Sequence, residues 1–346
     1  QQNATQMAVD EINESGGLDI DGTTYMLELE TVDDESDPTV AVTGVQRLLS
    51  EGVKYMVGTT SSAVLSAYIP VIQGNEDFIS IVIGGALETA TENAEIYRPR
   101  VTLSQYTNAT VEYIDGADDI ESVALLTDQG HAGWLEQIDV LKSGLDELGV
   151  DIVAEETYKL GATDFGPQLT AILRSDPDAI NVRGFPEDGV RAAKQARELG
   201  FEGPILNSAG FTRQEVEDAQ AAEQMNNVFD LVAPLTPDLV QLDMNENAGP
   251  FNEAYEEEFG EAPGFVSGSA YDGVYILARA LEKAGTVDDV LAVRDALDDL
   301  TLADVPELVE VITPQEGDRL FEERQAQFQI VVREWVDDDF QATDRV

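Results

Sequence analysis

Residues 53–83 read VKYMVGTTSSAVLSAYIPVIQGNEDFISIVI. Val53 to Val57 is a short, mainly apolar run, Ser62 to Ile72 carries apolar residues at helical spacing, and Phe78 to Ile83 is a second buried-type run. A strand apolar on both faces, followed by a helix and another such strand, is the signature of a parallel sheet covered on both sides. Upstream, Pro38 to Leu49 reads as a helix with Pro38 suited to its first turn, and Thr24 to Val32 alternates as a strand. Ala4, Met7, Ala8 and Ile12 recur at helical spacing before Gly16-Gly17. After Arg98 to Leu103 the pattern restarts. Strands are expected at Val123 to Leu126, Ile152 to Thr157, Ala179 to Val182, Pro204 to Asn207 and Val228 to Val232. They alternate with helices at Leu135 to Leu148, Phe165 to Arg174, Gly189 to Leu199 and Arg213 to Glu223. Two such runs, each about one domain long, predict an α/β chain with two doubly wound parallel-sheet lobes. The last third offers helices at Phe251 to Phe259, Val266 to Ala284 and Val287 to Leu297, then strands near Leu308 to Ile312 and Gln327 to Trp335. These are too few for a third lobe, so they should complete sheets already begun, with the chain crossing between lobes and forming a hinge.

Charge is the loudest compositional signal: 69 Asp and Glu against 19 Lys and Arg give a net charge of −50. In dilute solution such a surface repels itself; at molar salt the Debye length falls to about 3 Å and the repulsion is screened. Carboxylates spread over well-patterned helices therefore point to life in brine. The same field makes nucleic acid a poor partner. Cysteine is absent, which excludes disulfides and thiolate chemistry. There is neither an 18-residue apolar stretch nor a signal-like N-terminus, and a removed leader or lipid anchor upstream is the expectation.

Catalysis finds little support. The single histidine, His131, follows a strand in Asp128-Gln129-Gly130-His131 and has no second histidine for a metal or relay. Nucleophile-elbow and phosphate-loop motifs are missing, so no cofactor is implied. Asp19, Asp21, Gly22 and Glu28 match part of a calcium loop, but Gly17 stands at its first position and a turn is the better reading. Asp33, Asp34, Glu35 and Asp37 read as a solvated acidic loop. Polar groups at strand ends stand out instead. Gly58-Thr59-Thr60-Ser61-Ser62 follows a strand and opens a helix, where free N–H groups favour an anion or carboxylate, and where Ser61 or Ser62 also serves as N-cap. Gly84-Gly85-Ala86 follows the next strand and lets a ligand approach the backbone. Loops beyond the carboxyl ends of parallel strands are where such sheets bind ligands.

Asn3 to Gly17 resembles the first helix of type I periplasmic binding proteins, the leucine/isoleucine/valine-binding group. The acidic loop Asp33 to Pro38, the Gly58 to Ser62 loop, Ala193 to Gly200 with Phe201, and Ala270-Tyr271-Asp272-Gly273 are similar in the same order. The resemblance implies two lobes joined by three crossovers, near Leu103 to Tyr106, Val232 to Leu235 and within Arg319 to Gln329. Lobe 1 would comprise 1–104 and 235–325, and lobe 2 105–234 and 326–346. It also implies an extracellular receptor of an ABC importer that closes on a small-molecule ligand and hands it to a membrane permease; a sensor on the same scaffold is the alternative. By resemblance Ser62 holds the ligand carboxylate beside Thr60 and Ser61, Gly84 to Ala86 offer backbone groups, and Phe185 supplies an aromatic. Asp128, His131 and Gly210 complete the candidate ligand contacts. The family's hydroxyl falls at Ala86, its ammonium-pairing acid near Ala209 and a second aromatic near Ala132, so the α-amino recognition set is incomplete. A first strand inside the lobe 1 sheet is also implied upstream of Gln1.

Overall fold

The computed structural model describes residues 1–84, 87–117, 119–130, 132–159, 161–233, 243–264, 266–310, 312–336 and 339–343. The chain divides into two compact units, Gln1–Val101 with Pro234–Gln329 and Thr102–Ala233 with Ile330–Val346. It therefore passes from one unit to the other after Val101, Ala233 and Gln329. Part of the passage expected at Val232 to Leu235 lies outside the described residues.

The first unit opens with α1 (Gln2–Glu14), a hairpin of β1 (Leu18–Ile20) and β2 (Thr23–Tyr25), and α2 (Pro38–Ser50). Asp37 caps α2 by accepting from Thr39 N and Val40 N, and Pro38 occupies the first turn. Next come β3 (Tyr55–Val57), α3 (Ser62–Ile72), β4 (Ile79–Ile81) and β5 (Ile96–Tyr97), with the strands parallel in the order β3-β4-β5. Val64, Leu65, Tyr68 and Ile72 of α3 pack with Ala41 and Val45 of α2 over Phe78 and Val82.

The second unit begins with α4 (Leu103–Asp115), β6 (Ser122–Asp128), α5 (Ala132–Glu136), α6 (Ile138–Leu148) and β7 (Asp151–Tyr158). It continues through α7 (Gly166–Leu173), β8 (Ala179–Arg183), α8 (Pro186–Glu198), β9 (Ile205–Asn207), α9 (Arg213–Asp218) and β10 (Val228–Val232).

Back in the first unit, α10 (Ala248–Phe259), α11 (Ser267–Ala284) and α12 (Val290–Asp298) precede β11 (Ile312–Thr313), β12 (Phe321–Glu322) and β13 (Gln325–Phe328). The three strands form a small antiparallel sheet, β11-β13-β12. Helix α11 lies against the parallel sheet at Gly273, where an added Cβ would sit 3.0 Å from Val57 and 3.2 Å from Ile81. Beside it, the buried Asp272 carboxylate accepts from Val309 N and Glu310 N at 2.8 and 3.0 Å. The Ala270 to Gly273 motif thus reads as packing and backbone anchoring.

The chain ends with β14 (Val331–Val336) and β15 (Asp339–Ala342), which extend the second unit's sheet to seven strands in the order β15-β14-β10-β9-β8-β6-β7. Strands β10, β9, β8, β6 and β7 are parallel and the two late ones antiparallel. Edge strand β7 alternates outward acids such as Asp151 and Glu155, a charge pattern that discourages pairing with another chain.

Several expectations need correction. The strand near Leu308 to Ile312 forms only at Ile312–Thr313, and the helix expected over Arg213 to Glu223 ends at Asp218. Thr24 to Val32 is a strand only at Thr23–Tyr25; residues 26–32 join no ladder. A cavity of about 560 Å³ is lined by Leu27 to Val32 and by Tyr55 to Val57. Leu135 to Leu148 is two helices with a break at Gln137. Gln327 to Trp335 is two strands, interrupted where the chain leaves one unit for the other. Helix α4 went unread because its buried face uses Thr107 and Thr110, whose hydroxyls donate to Leu103 O and Tyr106 O at 2.9 Å each. With those donors satisfied internally, threonine fills core positions that the apolar period cannot register.

Candidate ligand site

In the first unit, β3 and β4 are adjacent and parallel, so the loops after them are neighbours. Ser61 adopts extended geometry and its side chain accepts from Val64 N, making it the N-cap of α3. Thr59 is buried; its hydroxyl accepts from Ser61 N at 3.3 Å and donates to Asp34 Oδ2 at 3.4 Å, which fixes the loop path. Thr60 and Ser62 are exposed beside the helix N-terminus, where backbone N–H groups and the helix dipole favour an anionic or acceptor group. The neighbouring acids are occupied locally: Asp33 Oδ1 and Asp34 Oδ1 accept from Glu35 N and Ser36 N. Gly84 belongs with this loop, since a Cβ there would lie 2.6 Å from Thr60 Cα. Gly84→Ala should therefore cost about 1–3 kcal/mol by overpacking against backbone, read as a lower midpoint of urea unfolding; an unchanged midpoint would show that the two loops part freely. Gly85 and Ala86 lie outside the described residues.

In the second unit the candidates fall at the carboxyl ends of parallel strands. Asp128 ends β6 and is fully buried; its Oδ1 accepts from Gly130 N at 2.8 Å while Oδ2 has no partner. Tyr158 ends β7 and donates to Asp188 Oδ2 at 3.0 Å. Burial pushes the Asp188 carboxyl above its ordinary range. Gly184 has no room for a Cβ beside the Tyr158 hydroxyl, nor has Gly189 beside the Asn207 amide. Phe185, the N-cap residue of α8, is 39% exposed. Gly210 follows β9 and is closed in by Val232, with a built Cβ 2.8 Å from Val232 Cγ2. His131 lies outside the described residues.

Sequence reasoning missed three residues here. Arg183 ends β8, fully buried, with its guanidinium 5.0 Å from the Trp134 ring. Trp134 donates its Nε1–H to Gly184 O at 3.2 Å. Asn207 ends β9 with its Oδ1 unpartnered. An arginine and two asparagines within otherwise apolar strands were the available signal.

The first unit carries exposed acceptor-binding groups at a strand end, and the second carries buried polar side chains at its strand ends. The family model described as periplasmic binding protein matches residues 1–337. The Leu/Ile/Val-binding protein BraC3 of Rhizobium johnstonii is 26% identical over 302 residues, covering 86% of this chain and 78% of that protein. The fold matches the branched-chain amino acid transporter substrate-binding protein LivJ of Streptococcus pneumoniae, solved in complex with isoleucine. Its TM-score is 0.73 at 22% identity, over 99% of this chain and 92% of that one. It also matches an ABC transporter solute-binding protein of R. palustris in complex with benzoate, with TM-score 0.67 at 17% identity, over 98% and 90% of the two chains. With a model of solute receptors spanning both units and all but the last residues, the chain belongs to the periplasmic binding protein family.

Proposed function

We propose that the chain is the solute receptor of an ABC importer, acting outside the cytoplasmic membrane and delivering a small polar solute to a permease. The observation that carries the reading is the family match across residues 1–337, in a family of binding proteins rather than enzymes. The relatives' names supply the transport context.

The proposed ligand is a compact solute with a carboxylate or amide oxygen rather than a standard α-amino acid. The groups at Thr60 to Ser62 suit an acceptor at the N-terminus of α3. An ammonium would lack the hydroxyl replaced by Ala86 and the acid replaced by Ala209. Burying that charge unpaired would remove about three decades or more of affinity. Calorimetry against leucine, isoleucine and valine, beside small carboxylates and amides, tests this. Binding confined to the carboxylates and amides is expected, and Ser62→Ala should weaken it about tenfold through the lost hydrogen bond. Micromolar binding of any branched-chain amino acid would overturn the ligand class while leaving the receptor reading intact.

A further inference from the structure

Among the described residues four arginines are buried. Arg100 faces Glu310 at 3.7 Å and Arg333 pairs with Asp230 at 2.7 Å. Arg98 donates to Leu87 O at 2.6 Å and to the side-chain oxygen of Gln325. Arg183 alone among them has no anion and little else. Its Nη2 donates to Thr107 Oγ1 at 3.2 Å, and its Nε and Nη1 have no partner at all. Burial pushes its guanidinium down to about 10, with no carboxylate to offset the desolvation. A buried, unpaired charge is costly, and acids outnumber bases 69 to 19 here. A carboxylate partner would have been easy to supply from the chain itself.

The position of this unmatched cation is informative. Arg183 is the last residue of β8, between β6 and β9, in the middle of the parallel sheet. Ligands of such sheets bind beyond the strands' carboxyl ends. The half-exposed Phe185 stands two residues further on. Trp134 covers the guanidinium, and its indole donates to Gly184 O.

We infer that Arg183 is an anion-recognition residue of the second unit, whose missing counter-ion is a carboxylate of the transported solute. This rests on the receptor reading above and narrows its ligand to an acid. Arg183 is 0% exposed with Trp134 over its guanidinium, so a carboxylate that reaches Nε and Nη1 displaces the groups around them and disturbs the Trp134 indole. Trp134 is therefore the built-in reporter, and the chain's other tryptophan, Trp335, is buried in the unit's core.

The test uses the whole chain in high salt and matched pairs of acid and amide: acetate with acetamide, isovalerate with isovaleramide, benzoate with benzamide. Affinities come from calorimetry, and tryptophan emission is followed with the two aliphatic pairs. Wild type should prefer the acid of the best-binding pair by about 30-fold or more, the range for losing a desolvated charge partner. Arg183→Met should abolish that preference while leaving the thermal midpoint equal or higher, since an unpaired buried charge is removed. Arg183→Lys should retain part of the preference. Trp134→Phe should bind the acid but lose the emission change. Equal affinity for acid and amide in wild type, or an undiminished preference in Arg183→Met, overturns the inference and leaves solute binding standing. A strongly lowered midpoint in Arg183→Met with the preference kept would mark the arginine as structural. A chain that binds nothing in the panel, amino acids included, sinks the receptor reading as well.

Discussion

Raising KCl from about 0.1 M to about 2 M should lift the thermal midpoint of this protein by about 10 °C or more. The net charge of −50 is the cause. At the lower concentration the Debye length is near 10 Å, long enough for neighbouring carboxylates to repel, and at the higher it is below about 3 Å. Cross-surface ion pairs cannot relieve this repulsion, because bases are too few and several of their pairs lie on the surface. Arg47 with Glu30 and Arg213 with Asp339 are about half exposed on both sides, and such pairs contribute about 0–1 kcal/mol each. Helix ends show the crowding: Asp146 and Glu147 close α6, and Glu256, Glu257 and Glu258 close α10, all exposed. Negative charge at a helix C-terminus also opposes the helix dipole. Replacing those five acids with glutamine should raise the midpoint at low salt and flatten its salt dependence. Differential scanning calorimetry across the series decides the matter. A midpoint indifferent to KCl up to molar levels would sink the assignment to brine.

Arg333→Met should cost the second unit about 3–5 kcal/mol, the range for leaving one member of a buried pair without its partner. Arg333 is 2% exposed and Asp230 is fully buried; Nε and Nη2 reach the two carboxylate oxygens at 3.1 and 2.7 Å. The pair also holds the loop carrying Gly210, because Phe211 N donates to Asp230 Oδ2 at 2.9 Å and Arg333 Nη2 donates to Phe211 O at 3.0 Å. The guanidinium further lies 3.9 Å from the Phe340 ring centroid, so its loss is felt on β15 too. Arg213→Met, which breaks a half-exposed pair, should cost under about 1 kcal/mol and serves as the control. Urea unfolding followed by Trp335 fluorescence separates the two. Adding Asp230→Leu to Arg333→Met should recover much of the loss, since the orphaned carboxylate is then gone. Equal, small effects from both arginines would show that the buried pair is dispensable.

The alternation of elements was legible because it depends on local properties. The apolar runs at Val53 to Val57 and Ala179 to Val182 and the N-cap chemistry around Ser61 each act within a few residues of themselves. Each appears in the structure, the first as a strand at Tyr55–Val57. The surface charge, and with it the expected salt response, is likewise a sum over residues that needs no fold. Helix α4 escaped because the pattern counts carbon, whereas Thr107 and Thr110 are buried through hydrogen bonds.

What only the tertiary structure decided is which segments meet. Thr24 to Val32 has a strand's alternation, but a ladder needs a neighbour, and among the described residues only Thr23–Tyr25 finds one. Asp230 and Arg333 face each other on β10 and β14 although 103 residues separate them, and no local pattern couples such distant positions. Arg183 makes the point most sharply. In the sequence it is one cation among many acids. Only folding leaves it without a carboxylate partner among the described residues and sets it, desolvated, at the end of a central strand. Burial and the absence of a partner are properties of the assembled chain, because both depend on what the rest of the polypeptide brings near.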